Sequence, residues 1–169
     1  MRLFVALQLP NPVRASLLAA ICRMKELGRG NFTRPENLHV TLIFIGETEN
    51  EEAARQALSL VQGEAFPLSI SGLGTFGDLY WAGVEPSPAL LNLQRQVAQS
   101  FQAAGFQLEH RPYRPHLTLC RQFRPYGVFQ ADRIAVHPPT CFIERISLME
   151  SLRQDGRLRY REVAGQHLT

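Results

Sequence analysis

The chain has 169 residues, of which 45% are hydrophobic and 20% are charged, as in ordinary soluble globular proteins. This length suits one domain with a substantial core, which we expect to span residues 1–169. No uncharged apolar run approaches the roughly 18 residues of a membrane span. The apolar segment 3–7 begins like a signal peptide, but Gln8 and Pro10 interrupt it and no cleavage site follows, so it predicts a first strand.

The cysteines and the net charge narrow the class of protein further. Cys22, Cys120 and Cys141 are odd in number and far apart in sequence, which argues against a disulfide framework and against a C-x-x-C zinc site. A reducing compartment, the cytoplasm, is therefore predicted. The formal net charge of +3 mildly favours an anionic partner without establishing one.

Strand-like and helix-like segments alternate along the chain. A strand at 3–7 precedes an amphipathic helix over about 12–27, a strand at 79–84 precedes a helix over about 88–104, and a third helix covers 50–62. The other strands are predicted at 66–76, 131–137, 142–150 and 157–163. A hairpin turn at Asp155-Gly156 joins the last two, so antiparallel pairing is expected.

The two long helices have similar predicted ends. Asn11 and Ser87 suit the N-cap position, and each is followed by a proline, which is tolerated in the first helical turn. Gly28 and Gly105 follow the two helices, where a left-handed glycine commonly terminates a helix.

The most informative feature of the sequence is a duplication. The segment Arg34-Pro35-Glu36-Asn37-Leu38-His39-Val40-Thr41-Leu42 recurs as Arg111-Pro112-Tyr113-Arg114-Pro115-His116-Leu117-Thr118-Leu119. Both copies have the pattern R-P-x-x-x-H-x-T-L, and each follows a strand, a P-x-P segment and a helix. The pattern predicts an α+β, bilobal fold in which two pseudo-symmetric antiparallel sheets face a central groove and carry helices on their outer faces.

The H-x-T-L segments should be strands with two different faces. Because residues i and i+2 of a strand share a face, His39 and Thr41 point one way, and Val40, Leu42 and Phe44 point the other way, towards the helices. The second copy predicts the same arrangement, and by the same rule Cys120 shares the face of its histidine and threonine.

Two-fold pseudo-symmetry would bring His39, Thr41, His116 and Thr118 into one groove. Two imidazoles suit acid–base chemistry near neutral pH, with one ring acting as base and the other as acid. Threonine hydroxyls can bind the non-bridging oxygens of a phosphate. Such a displacement at phosphorus needs no metal if the leaving oxygen is protonated.

Three alternatives remain open, two for the histidines and threonines and one for the arginine content. Histidine and threonine on a strand are commonly structural, and a duplication can preserve a fold without an activity. A two-histidine metal site is a second alternative, although no carboxylate or third histidine has suitable spacing. The arginine content, 17 Arg against one Lys, is explained equally well by genome composition.

The distribution of arginine is more specific than its amount. The segment 110–124 contains four arginines, two histidines and no acidic residue: His110, Arg111, Arg114, His116, Arg121 and Arg124. The planar guanidinium suits phosphate oxygens, so this segment favours a phosphate-bearing partner.

On these paired segments and their flanks, the chain resembles the 2H phosphoesterase superfamily. Within it, the flanks are similar to those of the bacterial and archaeal RNA 2′,3′-cyclic phosphodiesterases, also called the 2′-5′ RNA ligase family. The resemblance implies a bilobal fold and hydrolysis of a terminal 2′,3′-cyclic phosphate to a 2′-phosphate, without metal or cofactor. It implies substrates that are RNA ends or nucleotides. Some relatives also join RNA ends reversibly.

The resemblance also implies roles for individual residues. His39 would protonate the departing 3′ oxygen, His116 would activate water, and Thr41 and Thr118 would hold the phosphate. Among the residues expected to bind substrate, Arg121 matches a basic position common in this branch. Arg114 and Phe32 are weaker candidates, and Phe32 could equally belong to the core. A non-catalytic nucleotide- or RNA-end-binding module remains the alternative function, and a monomer is expected.

Overall fold

The computed structural model describes all 169 residues, which form three α-helices and ten strands. The helices are α1 (Asn11–Leu27), α2 (Glu51–Ser59) and α3 (Pro88–Ala103). The strands are β1 (Arg2–Gln8), β2 (Gly28–Phe32), β3 (His39–Glu47), β4 (Phe66–Leu68), β5 (Ile70–Phe76), β6 (Leu79–Val84), β7 (His116–Pro125), β8 (Cys141–Ile143), β9 (Arg145–Gln154) and β10 (Arg157–His167).

Two four-stranded antiparallel sheets form the two halves of the molecule. The first has the order β10-β9-β1-β3 and the second β2-β7-β6-β5, while β4 and β8 make a separate pair. In each sheet the H-x-T-L strand pairs with the strand that opens its repeat, β3 with β1 and β7 with β6. The α+β fold with two pseudo-symmetric sheets is therefore confirmed. The symmetry is approximate, because β2 crosses over to pair with β7 and leaves β3 at an edge.

The helices bury the opposite face of each sheet from the histidines. Helix α1 packs against β2 and β7, and α3 packs against β3, so each duplicated helix contacts the sheet of the other repeat. One core of 37 buried residues runs through both halves. Val40 and Leu117, which follow the two histidines, are both fully buried in it. No helix of the chain combines the length and the hydropathy needed to span a membrane.

A β-bulge in β3 reverses the predicted alternation of side chains. The pairing of β1 with β3 is regular up to Thr41, and Leu42 is then an extra residue with no partner on β1. Beyond it Ile43 is buried, whereas Phe44 is 66% exposed. The prediction that Phe44 faces the core is therefore wrong, because a bulge moves every following side chain to the other face.

A bulge occurs at the equivalent position of β7. Leu119 is the extra residue there, so the order of faces reverses after Thr118. Cys120 is fully buried in the core, and the expectation that it lines the groove is wrong. The same reversal turns Arg121 towards the face that carries His116 and Thr118.

Two of the four predicted helix caps differ in the structure. Ser87 accepts a hydrogen bond from the Leu90 amide, and Gly105 has the left-handed φ of 97°, as predicted. Asn11 is instead the first helical residue, preceded by an extended Pro10, so its side chain does not cap α1. Gly28 is extended rather than left-handed, because it already belongs to β2.

The predicted strands in the second half are divided more finely than expected. Segment 66–76 forms β4 and β5, which belong to different sheets, and 142–150 is divided between β8 and β9 at Glu144. Segment 131–137 is not a strand, since it begins with a 3-10 turn at Ala131–Arg133. Ile134 and Val136 are both buried, which gives the alternating pattern of a strand, but the segment pairs with no other strand. The last strand continues to His167.

Candidate active site

His39 is held at both ring nitrogens by its own segment. It opens β3 directly after a 3-10 turn, which brings its Nδ1 to 2.7 Å from the carbonyl oxygen of Asn37. Its Nε2 lies 2.9 Å from the Thr41 hydroxyl, on the same strand face. In the neutral ring Nδ1–H donates to the carbonyl and Nε2 accepts from the hydroxyl. Nε2 is therefore the atom available for proton transfer.

His116 is fixed by the same device in the second repeat. Its Nδ1 lies 2.8 Å from the carbonyl oxygen of Arg114, the residue equivalent to Asn37. The contribution of Arg114 in this structure is therefore made by its backbone, since its guanidinium is exposed and forms no hydrogen bond or ion pair. The prediction of Arg114 as a direct substrate ligand gains no support from this geometry.

The groove brings together residues from both sheets. Burial lowers the pKa of His39, a hydrogen bond to Asn37 opposes this effect, and the charges of Arg121 and His116 lower the pKa further. Strands β3 and β7 contact each other, and these charge effects, which decay with distance, agree with a position of Arg121 and His116 near His39. Four predicted residues, His39, Thr41, His116 and Arg121, thus belong to one site. Thr118 lies on β7 on the same face as His116 and is half-buried, like Thr41.

Aromatic rings surround each histidine, and sequence reasoning missed all of them. Around His39, the ring centroids of Phe4 and Tyr160 lie at 5.1 and 5.0 Å, the latter edge-on. Around His116, Phe76 and Trp81 lie at 5.7 and 6.4 Å. Each imidazole therefore has two aromatic neighbours. No spacing rule in the sequence connects them, because each comes from a different strand.

Gly74 leaves room for the Trp81 ring, which lies next to His116. The two residues are direct cross-strand partners on β5 and β6. A Cβ at Gly74 would lie 2.1 Å from the indole, a distance that real side chains do not adopt. The glycine is therefore required for close approach of the ring rather than for an unusual backbone angle.

Tyr113 ties the two repeats together beneath the site. It belongs to the second R-P-x-x-x-H-x-T-L segment, and its hydroxyl donates to the Thr41 carbonyl oxygen at 2.7 Å. Burial raises the pKa of Tyr113, so the phenol stays protonated and remains a donor. This contact links the loop before His116 to the strand of His39.

Phe32 does not face the groove. It pairs with Cys120, whose side chain is in the core, and its ring packs edge-on against Phe123 at 6.1 Å. The ammonium of Lys25 on α1 lies 5.6 Å from the centre of the same ring. The prediction of Phe32 as a base-stacking residue is corrected to the packing role, because the even-numbered residues of β2 point to the helices.

The residues around the histidines do not form a metal-binding cluster. No group of three His, Cys, Asp or Glu side chains is close enough to coordinate one ion. The site instead contains two imidazoles, two hydroxyls and a guanidinium from two duplicated strands. Such a set can transfer protons to and from a substrate and can neutralise an anion.

Comparisons with known proteins find relatives by family model, by sequence and by structure. A family model described as the 2′-5′ RNA ligase superfamily matches residues 12–155. The chain is 31% identical over 128 residues to an RNA 2′,3′-cyclic phosphodiesterase of Archaeoglobus fulgidus, covering 72% of each protein. It is 33% identical over 112 residues to one from Geobacillus stearothermophilus, covering 61% of this chain and 36% of that longer protein.

The crystal structure of E. coli LigT complexed with 3′-AMP matches with a TM-score of 0.82 and 25% identity, covering 99% of this chain and 98% of that one. The chain belongs to the 2′-5′ RNA ligase superfamily, as its paired segments predicted.

Proposed function

We propose that this protein is an RNA 2′,3′-cyclic phosphodiesterase, which hydrolyses a terminal 2′,3′-cyclic phosphate to a 2′-phosphate. The observation that carries the proposal is the matched anchoring of the two histidines. In both repeats Nδ1 is held by a carbonyl two residues upstream, at 2.7 and 2.8 Å. This leaves two Nε2 atoms for acid–base catalysis on one phosphate. The activities named for the relatives agree with it.

In the proposed reaction, the histidines act on opposite sides of phosphorus. His116 takes a proton from water as the water oxygen bonds to phosphorus, and the bond from phosphorus to the 3′ oxygen breaks. His39 donates its proton to that departing oxygen, which leaves a 3′ hydroxyl and a 2′-phosphate. Arg121 neutralises the phosphate, and the hydroxyls of Thr41 and Thr118 bind its non-bridging oxygens.

The low pKa of His39 is compatible with a role as acid once substrate is bound. In the ligand-free protein burial and the neighbouring cations favour the neutral ring. A bound phosphate adds negative charge beside the ring and favours the protonated form. The ring can therefore carry a proton in the complex, as its proposed role as acid requires.

The test is product analysis with an oligonucleotide that ends in a 2′,3′-cyclic phosphate, incubated in excess EDTA. We expect a 2′-phosphate end at the same rate with and without chelator. A 3′-phosphate product, or activity that disappears in EDTA and returns with a divalent ion, would refute the metal-independent scheme. Adding RNA with a 5′ hydroxyl to the same reaction tests for 2′-5′ joining. Binding without turnover would instead indicate the non-catalytic module.

We also propose that the protein acts as a monomer in the cytoplasm. Both halves of the groove come from one chain, so the site does not need a second copy. The three cysteines are free thiols, two of them buried, which supports a reducing compartment. Sedimentation of the purified protein at working concentration tests the first part.

A further inference from the structure

The exposed side chains of β2 lie on the groove side of the second sheet. A Cβ built at Gly28 or Gly30 would strike the buried side chains of β7 at 2.6 and 2.3 Å. Both glycines therefore point into the core. Because side chains alternate along a strand, Arg29 and Asn31 point the opposite way, and both are exposed.

The pairing of β2 with β7 aligns these residues with two arginines. Asn31 lies opposite Arg121, and Arg29 lies opposite Arg124. Directly opposed residues of an antiparallel pair share a face. The bulge at Leu119 turns Arg121 to the groove face that carries His116 and Thr118, and its charge also acts on His39. Arg121, Arg124 and Arg29 therefore form a row that starts at the proposed phosphate site and runs along the paired strands β7 and β2. We call this row the basic track.

The basic track has no internal partner for its charge. None of the six ion pairs of the chain involves Arg29, Arg121 or Arg124. Like charges directly opposite one another, as Arg29 and Arg124 are, destabilise a strand pair. Beside them, Nδ2 of Asn31 donates a hydrogen bond to Oε1 of Gln122 at 2.8 Å. An external anion would offset the repulsion, and β2 is an edge strand, so the track is open to solvent.

We propose that the basic track binds the sugar-phosphate backbone of single-stranded RNA upstream of the cyclic end. Arg121 holds the terminal phosphate, and Arg124 with Arg29 holds a phosphate further along the chain. Arg121 and Arg124 are three residues apart on β7, a distance of about 10 Å along the strand. Their long side chains can therefore reach the phosphates of neighbouring nucleotides. The inference rests on the proposed function, and it makes oligonucleotides better substrates than cyclic mononucleotides.

The experiment compares two double variants with the same loss of charge. Arg29→Gln/Arg124→Gln removes the upstream part of the track. Arg157→Gln/Arg159→Gln is the matched control, because both arginines are exposed and unpaired on the face of β10 opposite Tyr160. The value of kcat/KM is measured at several salt concentrations for an oligonucleotide with a 2′,3′-cyclic end and for a cyclic mononucleotide.

For the track variant we expect about a tenfold loss on the oligonucleotide and a much smaller loss on the mononucleotide. Its salt dependence on the oligonucleotide should flatten by about 0.7 in log–log slope for each phosphate that the variant no longer binds. The control should keep the wild-type slope. Equal losses on both substrates, an unchanged oligonucleotide slope, or the same flattening in the control would overturn the proposal.

A second readout separates this inference from the proposed function. Fluorescence anisotropy with a single-stranded RNA ending in a 2′-phosphate measures binding without turnover. If wild type hydrolyses neither substrate, the proposed function fails, yet weaker RNA binding by the track variant alone would still support the track. Unchanged RNA binding in the track variant would refute it even in an active enzyme.

Discussion

At the scale of single residues, the site depends on how two imidazoles are oriented. A carbonyl two residues upstream binds Nδ1 in each case, which leaves Nε2 towards the groove. The surroundings of the two rings differ. His39 packs against Phe4 and Tyr160, and its pKa is lowered mainly by burial. The duplication therefore supplies two similar groups in different environments.

Replacing each histidine separately should identify its role. His39→Ala and His116→Ala should each lose roughly 10²–10⁴ in kcat, with a combined loss smaller than the product, because both serve one displacement. A nitrophenyl phosphodiester has a leaving group that needs no proton, so it should largely rescue His39→Ala. It should not rescue His116→Ala, and the opposite pattern would exchange the two roles.

Arg121 should contribute to the low pKa of His39, which burial lowers most. Its positive charge disfavours the protonated ring, so Arg121→Gln should raise the His39 pKa towards 6.5. NMR titration of the imidazole measures this directly, and Arg157→Gln serves as the control with equal charge loss. At a pH between the two pKa values, the variant should carry more His39 in the protonated form. An unchanged titration would place Arg121 too far away to act on the site.

Among the secondary-structure elements, two β-bulges and one close contact between strands determine which side chains face the groove. Leu42 and Leu119 are each the extra residue of a strand pair, and each turns a later side chain towards the groove, Phe44 in one sheet and Arg121 in the other. The contact of Trp81 with Gly74 is a second device of this kind, since it places a ring beside His116 without a bulge.

Gly74→Ala should displace the only tryptophan of the chain. The added methyl group overlaps the indole of Trp81, so the ring must move, at a cost of about 1–3 kcal/mol in unfolding free energy. Intrinsic fluorescence should shift, and kcat should fall because the ring also borders His116. Gly127→Ala is the control, as its Cβ would meet nothing within 4 Å. Wild-type fluorescence in Gly74→Ala would disprove the close packing.

At the scale of the whole molecule, the two sheets must keep a fixed relation for the histidines to act together. One core passes through both halves, and the duplicated helices are exchanged between the sheets. The Tyr113 hydroxyl also donates to the Thr41 carbonyl oxygen and so connects the second repeat to the first.

Tyr113→Phe should weaken this connection. It leaves the Thr41 carbonyl without its donor, which should lower the free energy of unfolding by about 1 kcal/mol in urea denaturation. If the contact also aligns the histidines, kcat should fall more than KM rises. Tyr126→Phe is the matched control, because Tyr126 is 65% exposed and its hydroxyl makes no hydrogen bond. Equal stability of the two variants would show that the contact contributes nothing.

The duplication, the α+β class and the face shared by each H-x-T pair could be predicted from the amino-acid sequence. These follow from residue types and from alternation over two or three positions, which are local properties. The sheet face on which four side chains lie could be seen only in the folded chain: Phe32, Phe44, Cys120 and Arg121. The same is true of the identity of the aromatic rings around the histidines. A bulge exists only relative to a partner strand, and β2 finds its partner across the molecule. Contacts between residues far apart in sequence leave no periodic signal in either segment, so they become visible only when the chain is folded.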